Sequence, residues 1–463
     1  MSDALVIGAG VGGLAAAAYL ARAGRRVTLL EAMEAPGGVC RAEQLENGWT
    51  APGAAHLLYA LDPQVVKDLR LTRRGLRFEQ RDMALMGLRA GGGRLTLTRD
   101  VHVTARQIAA LSDADAAAYA NFQRGLLRQA RQLRRLWWEG KPVSADAALH
   151  QLAVTGAAAF LNSQFESEAV KALIAFDGTD GGLSVQEPGS ALALVWRLAQ
   201  EVGGLQGATA LPQGGTAGLI AALMQAAVKA GVELRSHANV TRILIEDGKA
   251  NGVELASGEI FTAPIVFSSL PRAKTLALLP PGIAGLAPVA APIPMVGEAK
   301  LLLALSRLPE LDGRPFGTRF VIAERLETLA AAHAAARAGY LPDEPTCEFI
   351  IVPGPGGGAI LSLLARPVPL SGWAAHGPRL TEKLLTFLEP FLPGLRDLIV
   401  AHTVIPPEPM APTSVAQMLS PPRLQVTTNV PGLYLCGRSA EPVPAVSGRA
   451  ARFAAALALR SGS

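Results

Sequence analysis

An α/β architecture follows from three features of the chain. They are a βαβ signature near the start, a run of short β segments in the middle, and a glycine-bounded strand followed by a helix near the end. Together they predict a Rossmann-like nucleotide domain, discontinuous in sequence, with an inserted mixed α+β domain. The first feature is residues 4–31, ALVIGAGVGGLAAAAYLARAGRRVTLLE. Gly8, Gly10 and Gly13 stand in G-x-G-x-x-G spacing, with Gly12 inside it and Glu31 at the end. Apolar 4–7 reads as a strand running into a glycine turn that opens a helix. Gly8 permits the tight turn, Gly10 lets backbone approach a pyrophosphate, and Gly13 lets helix and strand pack closely. The helix N-terminus offers free N–H groups and positive dipole charge to phosphates. Glu31 suits both hydroxyls of an adenosine ribose and would repel a 2′-phosphate. Strand, helix, second strand and acid all fall in place, which predicts a bound dinucleotide over an empty glycine turn.

The elements then follow in order. The second strand leads into Pro36, Gly37, Gly38 and Arg41. Residues 104–202 read mostly as helix, and 211–231 as a turn and helix. Short β segments come next, at 232–235, 240–246, 252–255 and 265–268, with Asp247-Gly248 and Ser257-Gly258 as turns. Glycine- and proline-rich text at 279–296 precedes an alternating strand, 298–305. Glu298 and Lys300 share one face of it, either a solvent face or a site. Mixed text runs to about residue 420. The last unit is GLYLCG, 432–437, with a helix expected near 446–460. No internal repeat is visible. This order implies a nucleotide domain from 1–85, 206–272 and 421–463, and a substrate domain from 86–205 and 273–420.

Composition limits the partners. The 463 residues are half apolar and carry a net charge of +5, with Lys and Arg dispersed, so nucleic acid is not indicated. Cys40, Cys347 and Cys436 lie far apart, against a disulfide framework, a zinc site or a redox pair. No metal site is expected. The early strand leaves no room for a secretory leader, and no stretch of about 18 apolar residues suggests a membrane span. A cytoplasmic setting is expected. One helix has two readings. Phe122, Leu126, Ala130, Leu133 and Trp137 line one side, and Arg124, Arg128, Arg131 and Arg135 the other. That pattern suits a core-facing stripe with a solvated basic face, or peripheral contact with an anionic membrane.

With these motifs in view, the chain resembles the FAD-dependent superfamily of amine oxidases and phytoene desaturases, and within it the phytoene dehydrogenase-like branch. The extended fingerprint, the Gly37-Gly38 pair and the GLYLCG-to-helix unit carry the resemblance. So do Ala55-His56-Leu57-Leu58, LRLTRRGLRF at 69–78, FESEAVK at 165–171, GGLQG at 203–207 and PQGGTAG at 212–218. The resemblance implies FAD as cofactor. Gly8, Gly10, Gly12 and Gly13 would sit under its pyrophosphate, and Glu31, followed by Ala32, would hold its ribose. Gly38 and Arg41 would border pyrophosphate and flavin, and Val240 would contact adenine through its backbone. Gly437 and the segment from Glu441 through Ala445 to Val446 would lie near ribityl and flavin. The final helix would aim its N-terminus at the flavin C2 oxygen, where reduced flavin carries charge. One stretch departs from the branch. Ser439-Ala-Glu-Pro-Val-Pro-Ala-Val-Ser-Gly448 has prolines and Glu441 where a histidine, a proline and several glycines are usual, so the backbone path there is expected to differ.

Catalytic candidates are few, because a flavin needs little from side chains beyond orientation and tuning. Lys300 resembles the lysine that amine oxidases aim, through a water, at flavin N5. His56 follows the flavin-side loop and is either structural or part of the site. Glu441 is a base, a ribityl ligand or a helix cap. Tyr59, Trp373 and Tyr434 are pocket or core aromatics, and Cys436 reads as a small buried hydrophobe. The implied function is an FAD-dependent oxidoreductase, dehydrogenase- or desaturase-like, taking hydride from a small, apolar, isoprenoid-like substrate. A flavin amine oxidase and a flavoprotein with mainly an interaction role are the alternatives. Oligomeric state stays open.

Overall fold

A computed structural model describes residues 2–139, 147–283, 296–311, 315–410, 415–419, 426–441, 443 and 445–461. Five parallel strands form the nucleotide sheet, in the order Glu233–Arg235, Val27–Leu30, Ala4–Ile7, Val266–Ser268 and Leu433–Leu435. Four of the five are apolar throughout or nearly so, as strands covered on both faces must be. The central strand Ala4–Ile7 has its chain successor on one side and Val266–Ser268 on the other. That is a topological switch point, and a crevice opens at the carboxyl ends of the two strands. The helix Val11–Arg22 packs between this sheet, the helix Ala217–Lys229 and the final helix Arg449–Ser461. Its Leu14, Ala15, Ala16, Ala17, Ala18 and Leu20 are fully buried.

The second large sheet has seven strands, in the order Ile399–Pro409, Gly297–Leu305, Ala359–Val368, Cys347–Pro353, Thr318–Ile322, Ala84–Leu88 and Arg94–Leu97. Its ladders are antiparallel except between Thr318–Ile322 and Ala84–Leu88. Period-2 alternation sorts these strands cleanly. Ala299, Leu301, Leu303, Phe349, Leu361 and Leu363 pack under the helix Trp373–Leu388. The opposite parity brings Lys300, Arg319, Glu348, Ser362 and Arg366 onto the other face. Strand Ala84–Leu88, which joins this sheet, spans residue 85.

Helices fill much of 101–199, as expected. The helix Asp113–Glu139 resolves the two readings of its pattern. Phe122, Leu126, Ala130, Leu133 and Trp137 are all buried in one core cluster, where Trp137 meets Trp196 edge-on at 4.9 Å. Trp137 Nε1 donates to the Met418 carbonyl at 2.7 Å. Arg124, Arg128, Arg131 and Arg135 are exposed. The apolar stripe is therefore spent on the core, the first of the two readings, and is not available to a lipid surface. Among the described residues no helix is long and apolar enough to cross a membrane.

Candidate cofactor and active site

The glycine turn forms a cradle by close backbone packing. Gly8 has φ +86°, and Ser269 Oγ donates to the Ile7 and Gly8 carbonyls at 2.9 Å each. A Cβ at Gly13 would fall 1.8 Å from the Gly8 carbonyl oxygen, and one at Gly12 would fall 2.2 Å from that of Cys436. These two glycines let the helix sit directly on the strand ends. Gly10 differs. A Cβ there would meet only Gly38 Cα, at 3.8 Å, so a bare backbone face is left over the helix start. No side chain caps that N-terminus, since Gly10 is its N-cap. Uncapped amides beside a side-chain-free face fit a pyrophosphate.

Glu31 is buried and tied to backbone on both oxygens. It accepts the Ala9 N–H at 2.7 Å and the Met33 N–H at 3.0 Å. A carboxylate has about four lone-pair sites, so acceptors remain for ribose hydroxyls. Ala238 N–H donates to the Glu31 carbonyl at 2.8 Å, which brings the approach to Val240 alongside the acid. Val240 itself is buried and opens the strand Val240–Glu246. Ala32 and Gly38 are exposed beside this groove. The loop back from Gly38 is tightly folded, because a Cβ at Gly53 would stand 2.0 Å from the Arg41 carbonyl oxygen. The Arg41 side chain reaches Glu43 at 3.4 Å. Taken together, these residues fit FAD.

A cavity lies beyond the cradle. Val39, the 54–57 segment, Tyr59, Arg438, Ala445 and Val446 wall it on the cradle side. Asp180, Gly181, Glu298, Glu348, Leu364, Arg366 and Met410 complete it. The 54–57 segment is pinned by backbone: Ala55 N–H to the Val39 carbonyl at 2.8 Å, and Thr216 Oγ1 to the Ala55 carbonyl at 2.7 Å. The far wall is charged. Glu348 Oε2 accepts from Arg319 Nε at 2.6 Å, and Arg319 Nη2 also reaches Asp177 at 2.7 Å. Arg366 pairs with Asp180 and lies 3.7 Å from Glu348. Arg197 stands 3.7 Å from Asp177 and stacks over the Tyr59 ring at 3.7 Å. Three arginines thus balance three carboxylates in a buried network, the arrangement that lets charges survive burial. The lining therefore combines this charged wall with apolar Val39, Leu57, Leu364, Met410 and Val446.

His56 is buried against this network. Its Nε2 lies 3.1 Å from Glu348 Oε1, and its Nδ1 lies 3.1 Å from the Ser362 carbonyl and 3.3 Å from Ser362 Oγ. Burial, then the neighbouring Lys300 charge, lowers its pKa to about 4, so the ring is neutral near pH 7. The Glu348 carboxylate and the Ser362 carbonyl both accept, so the neutral ring donates to only one of them, and the carboxylate charge favours Nε2 as the donor. Lys300 is 2% exposed, and its Nζ donates to the Ala54 carbonyl at 3.3 Å. Burial pulls it down to about 7, against the opposing pull of Glu348 and Glu298. The strand carrying it is buried except at Glu298, which is half-buried and lines the cavity, so Lys300 does not lie on a solvent face.

Other candidates fall elsewhere. Glu441 accepts from Ser447 Oγ and lies 3.4 Å from Arg449 Nη1. Arg449 in turn donates to Gln200 Oε1 at 3.0 Å. Burial pushes the Glu441 carboxyl up, and it sits at the start of the last helix, outside the cavity lining. That helix begins at Arg449 rather than at 446, because Gly448 takes φ +69° and Ser447 Oγ accepts the Arg449 N–H at 2.9 Å. Trp373 packs under the seven-stranded sheet and Tyr434 stacks on Phe267 at 5.2 Å, so of the three aromatics only Tyr59 lines the cavity. Cys436 is buried, and burial raises its thiol well above the usual range. Among the described residues no cluster of His, Cys, Asp or Glu is placed to hold a metal ion. Sequence reasoning missed Asp177, Asp180, Arg197, Arg319, Glu348 and Arg366. A signal existed: TRFVI, CEFIIV and LSLLARPV each place one charge in an apolar strand.

A phosphate cradle, a ribose acid and a charged cavity beyond them define an FAD-dependent oxidoreductase. A family model described as flavin containing amine oxidoreductase matches residues 11–331, and the chain belongs to that family. It is 30% identical to a hydroxyneurosporene desaturase of Cereibacter sphaeroides, over 99% of this chain and 98% of that protein. It is 26% identical to pyridine nucleotide-disulfide oxidoreductase domain-containing protein 2 of Mus musculus, over 99% of this chain and 93% of that one. In fold it is similar to an oxidoreductase from Methanosarcina mazei, with a TM-score of 0.68, 19% identity and 99% of both chains covered.

Proposed function

We propose that the protein is a desaturase-like dehydrogenase that removes two hydrogens from a small substrate, one of them as hydride. The observation that carries this reading is the cavity between the glycine cradle and the charged sheet face. Bound FAD supplies the hydride acceptor. The chain's own groups orient the substrate and exclude water. Val39, Leu57, Leu364, Met410 and Val446 suit an apolar body, as in the desaturase relative, while the ionisable wall suits a polar end. Lys300 stands behind the cavity lining, on the Ala54 carbonyl, and its titration near neutrality makes it our candidate to accept a proton lost from the substrate. His56 is a positioning residue, because both ring nitrogens are already engaged. We also propose the division into a nucleotide domain around the five-stranded sheet and a substrate domain around the seven-stranded one.

A second reading, oxidation of an amine, is favoured by Glu298, a lining carboxylate with no ion pair among the described residues. The experiment is anaerobic mixing of FAD-loaded protein with a panel of polyenes, allylic alcohols and amines. Bleaching of the oxidised flavin by polyenes or alcohols supports dehydrogenation of a carbon skeleton, and bleaching by amines alone supports the second reading. If no compound bleaches it, both readings fail and an interaction role gains.

A further inference from the structure

The charged residues around the cavity form pairs, with one exception. His56 is held by Glu348 and Ser362, Glu348 by Arg319, and Asp180 by Arg366. Arg438 also has a partner. Glu298 lines the same cavity and makes no side-chain hydrogen bond or ion pair with any described residue. The through-space fields of Arg366, Arg438 and Lys300 favour its charge, while burial raises its pKa.

The backbone around Glu298 is also irregular. The strand Gly297–Leu305 slips register against Ala359–Val368 between Gly297 and Ala299. It slips against Ile399–Pro409 between Glu298 and Lys300. Both interruptions bracket this residue, in a strand that otherwise pairs regularly along Lys300 to Ala304 on both sides. Bulges of this kind re-aim a side chain and concentrate beside active sites. A half-buried carboxylate placed at such a slip, lining a cavity and without a side-chain partner among the described residues, is an acceptor left open to a donor that enters the cavity.

We propose that Glu298 anchors the substrate, accepting a hydrogen bond from an N–H or O–H group at its polar end. This rests on the dehydrogenase reading and narrows its substrate class to molecules carrying such a donor near the carbon that is oxidised. A cationic ammonium would gain most, a neutral hydroxyl less. A carboxylate end would be repelled by Glu298 and a pure hydrocarbon would leave it unpaired.

The test compares four probes with one apolar ring: benzylamine, benzyl alcohol, toluene and benzoate. Each is titrated anaerobically into FAD-loaded protein, and binding is read from the perturbed flavin spectrum. The parent should bind benzylamine about tenfold or more tightly than toluene, the ratio expected for one charge-assisted hydrogen bond, with benzyl alcohol between them and benzoate weakest. Glu298→Gln keeps an acceptor but no charge, so it should lose the preference for amine over alcohol. Glu298→Leu should lose both preferences and bind toluene at least as well as the parent does. A parent that binds all four probes alike, or a Glu298→Leu protein that keeps the parent's order, overturns the assignment. FAD retained alongside either of those results leaves the dehydrogenase reading standing, whereas a parent that cannot be loaded with FAD ends that reading itself.

Discussion

Replacing Glu348 by glutamine tests whether the cavity wall is held together by charge. Glu348 is buried, with one oxygen on Arg319 Nε at 2.6 Å, the other 3.1 Å from His56 Nε2, and Arg366 Nη2 3.7 Å away. Arg319 and Arg366 together hold its carboxyl well below the usual range, against the burial that would raise it. The amide removes one negative charge from a network of three carboxylates and three arginines. It also turns an NH2 donor toward either the Arg319 guanidinium or the His56 N–H. Breaking a buried pair by neutralising one partner costs about 3–5 kcal/mol, because the other charge stays behind in low dielectric. The expected loss is therefore about 3 kcal/mol or more, measured by urea unfolding of the FAD-loaded protein. Pairing the change with Arg319→Gln removes both charges, so the double variant should lose clearly less than the sum of the single losses. A single-variant loss below about 1 kcal/mol, the value of a solvent-screened pair, would refute the reasoning. So would strict additivity in the cycle.

Three further outcomes are expected. Gly13→Ala places a methyl group 1.8 Å from the Gly8 carbonyl oxygen, so the helix must move off the strand end and FAD retention should fall sharply on gel filtration; parent-like retention would contradict the packing role. Glu31→Ala strips the acceptor from the Ala9 and Met33 amides and from the adenosine ribose. Losing hydrogen bonds to a charged group at about 1.5–3 kcal/mol each should weaken FAD binding by roughly tenfold or more, against equal occupancy in fluorescence titration if the ribose assignment is wrong. The pH dependence of stability follows from His56. Its folded pKa of about 4 lies below its unfolded value near 6.5, so its neutral form stabilises the fold fully above pH about 6.5. That stability, roughly 3 kcal/mol, is lost as pH falls toward about 4. His56→Gln should flatten this slope in unfolding measurements between those limits, and an unchanged slope would place the titration elsewhere.

The cofactor half of the site was legible because its chemistry is local. The Gly8–Gly13 spacing, Glu31, and the short strands at 233–235, 240–246 and 266–268 are each set by a few neighbouring residues. The final helix start was misplaced by three residues, because Gly448 and Ser447 form a local cap that the apolar text at 445–446 conceals. The far wall was illegible for another reason. Glu298, Arg319, Glu348 and Arg366 lie on four different strands and one shared face, and only register across the ladders brings them together. Lys300, Leu364 and Glu348 stand in one cross-strand row. His56 meets Ser362 across 306 positions of chain, a separation at which sequence spacing says nothing.

By itself, the amino-acid sequence determined the nucleotide grip: a turn that only glycines can make, an uncapped helix start, and an acid at the next strand end. Tertiary structure decided the character of the cavity. It turned an apolar-looking insertion into a charge-balanced wall and buried a helix stripe that could have faced lipid. It also left Glu298 as an acceptor without a partner. The physical reason is range. Backbone conformation and helix dipoles act over a few residues, whereas desolvation and ion pairing depend on which distant segments share a buried face.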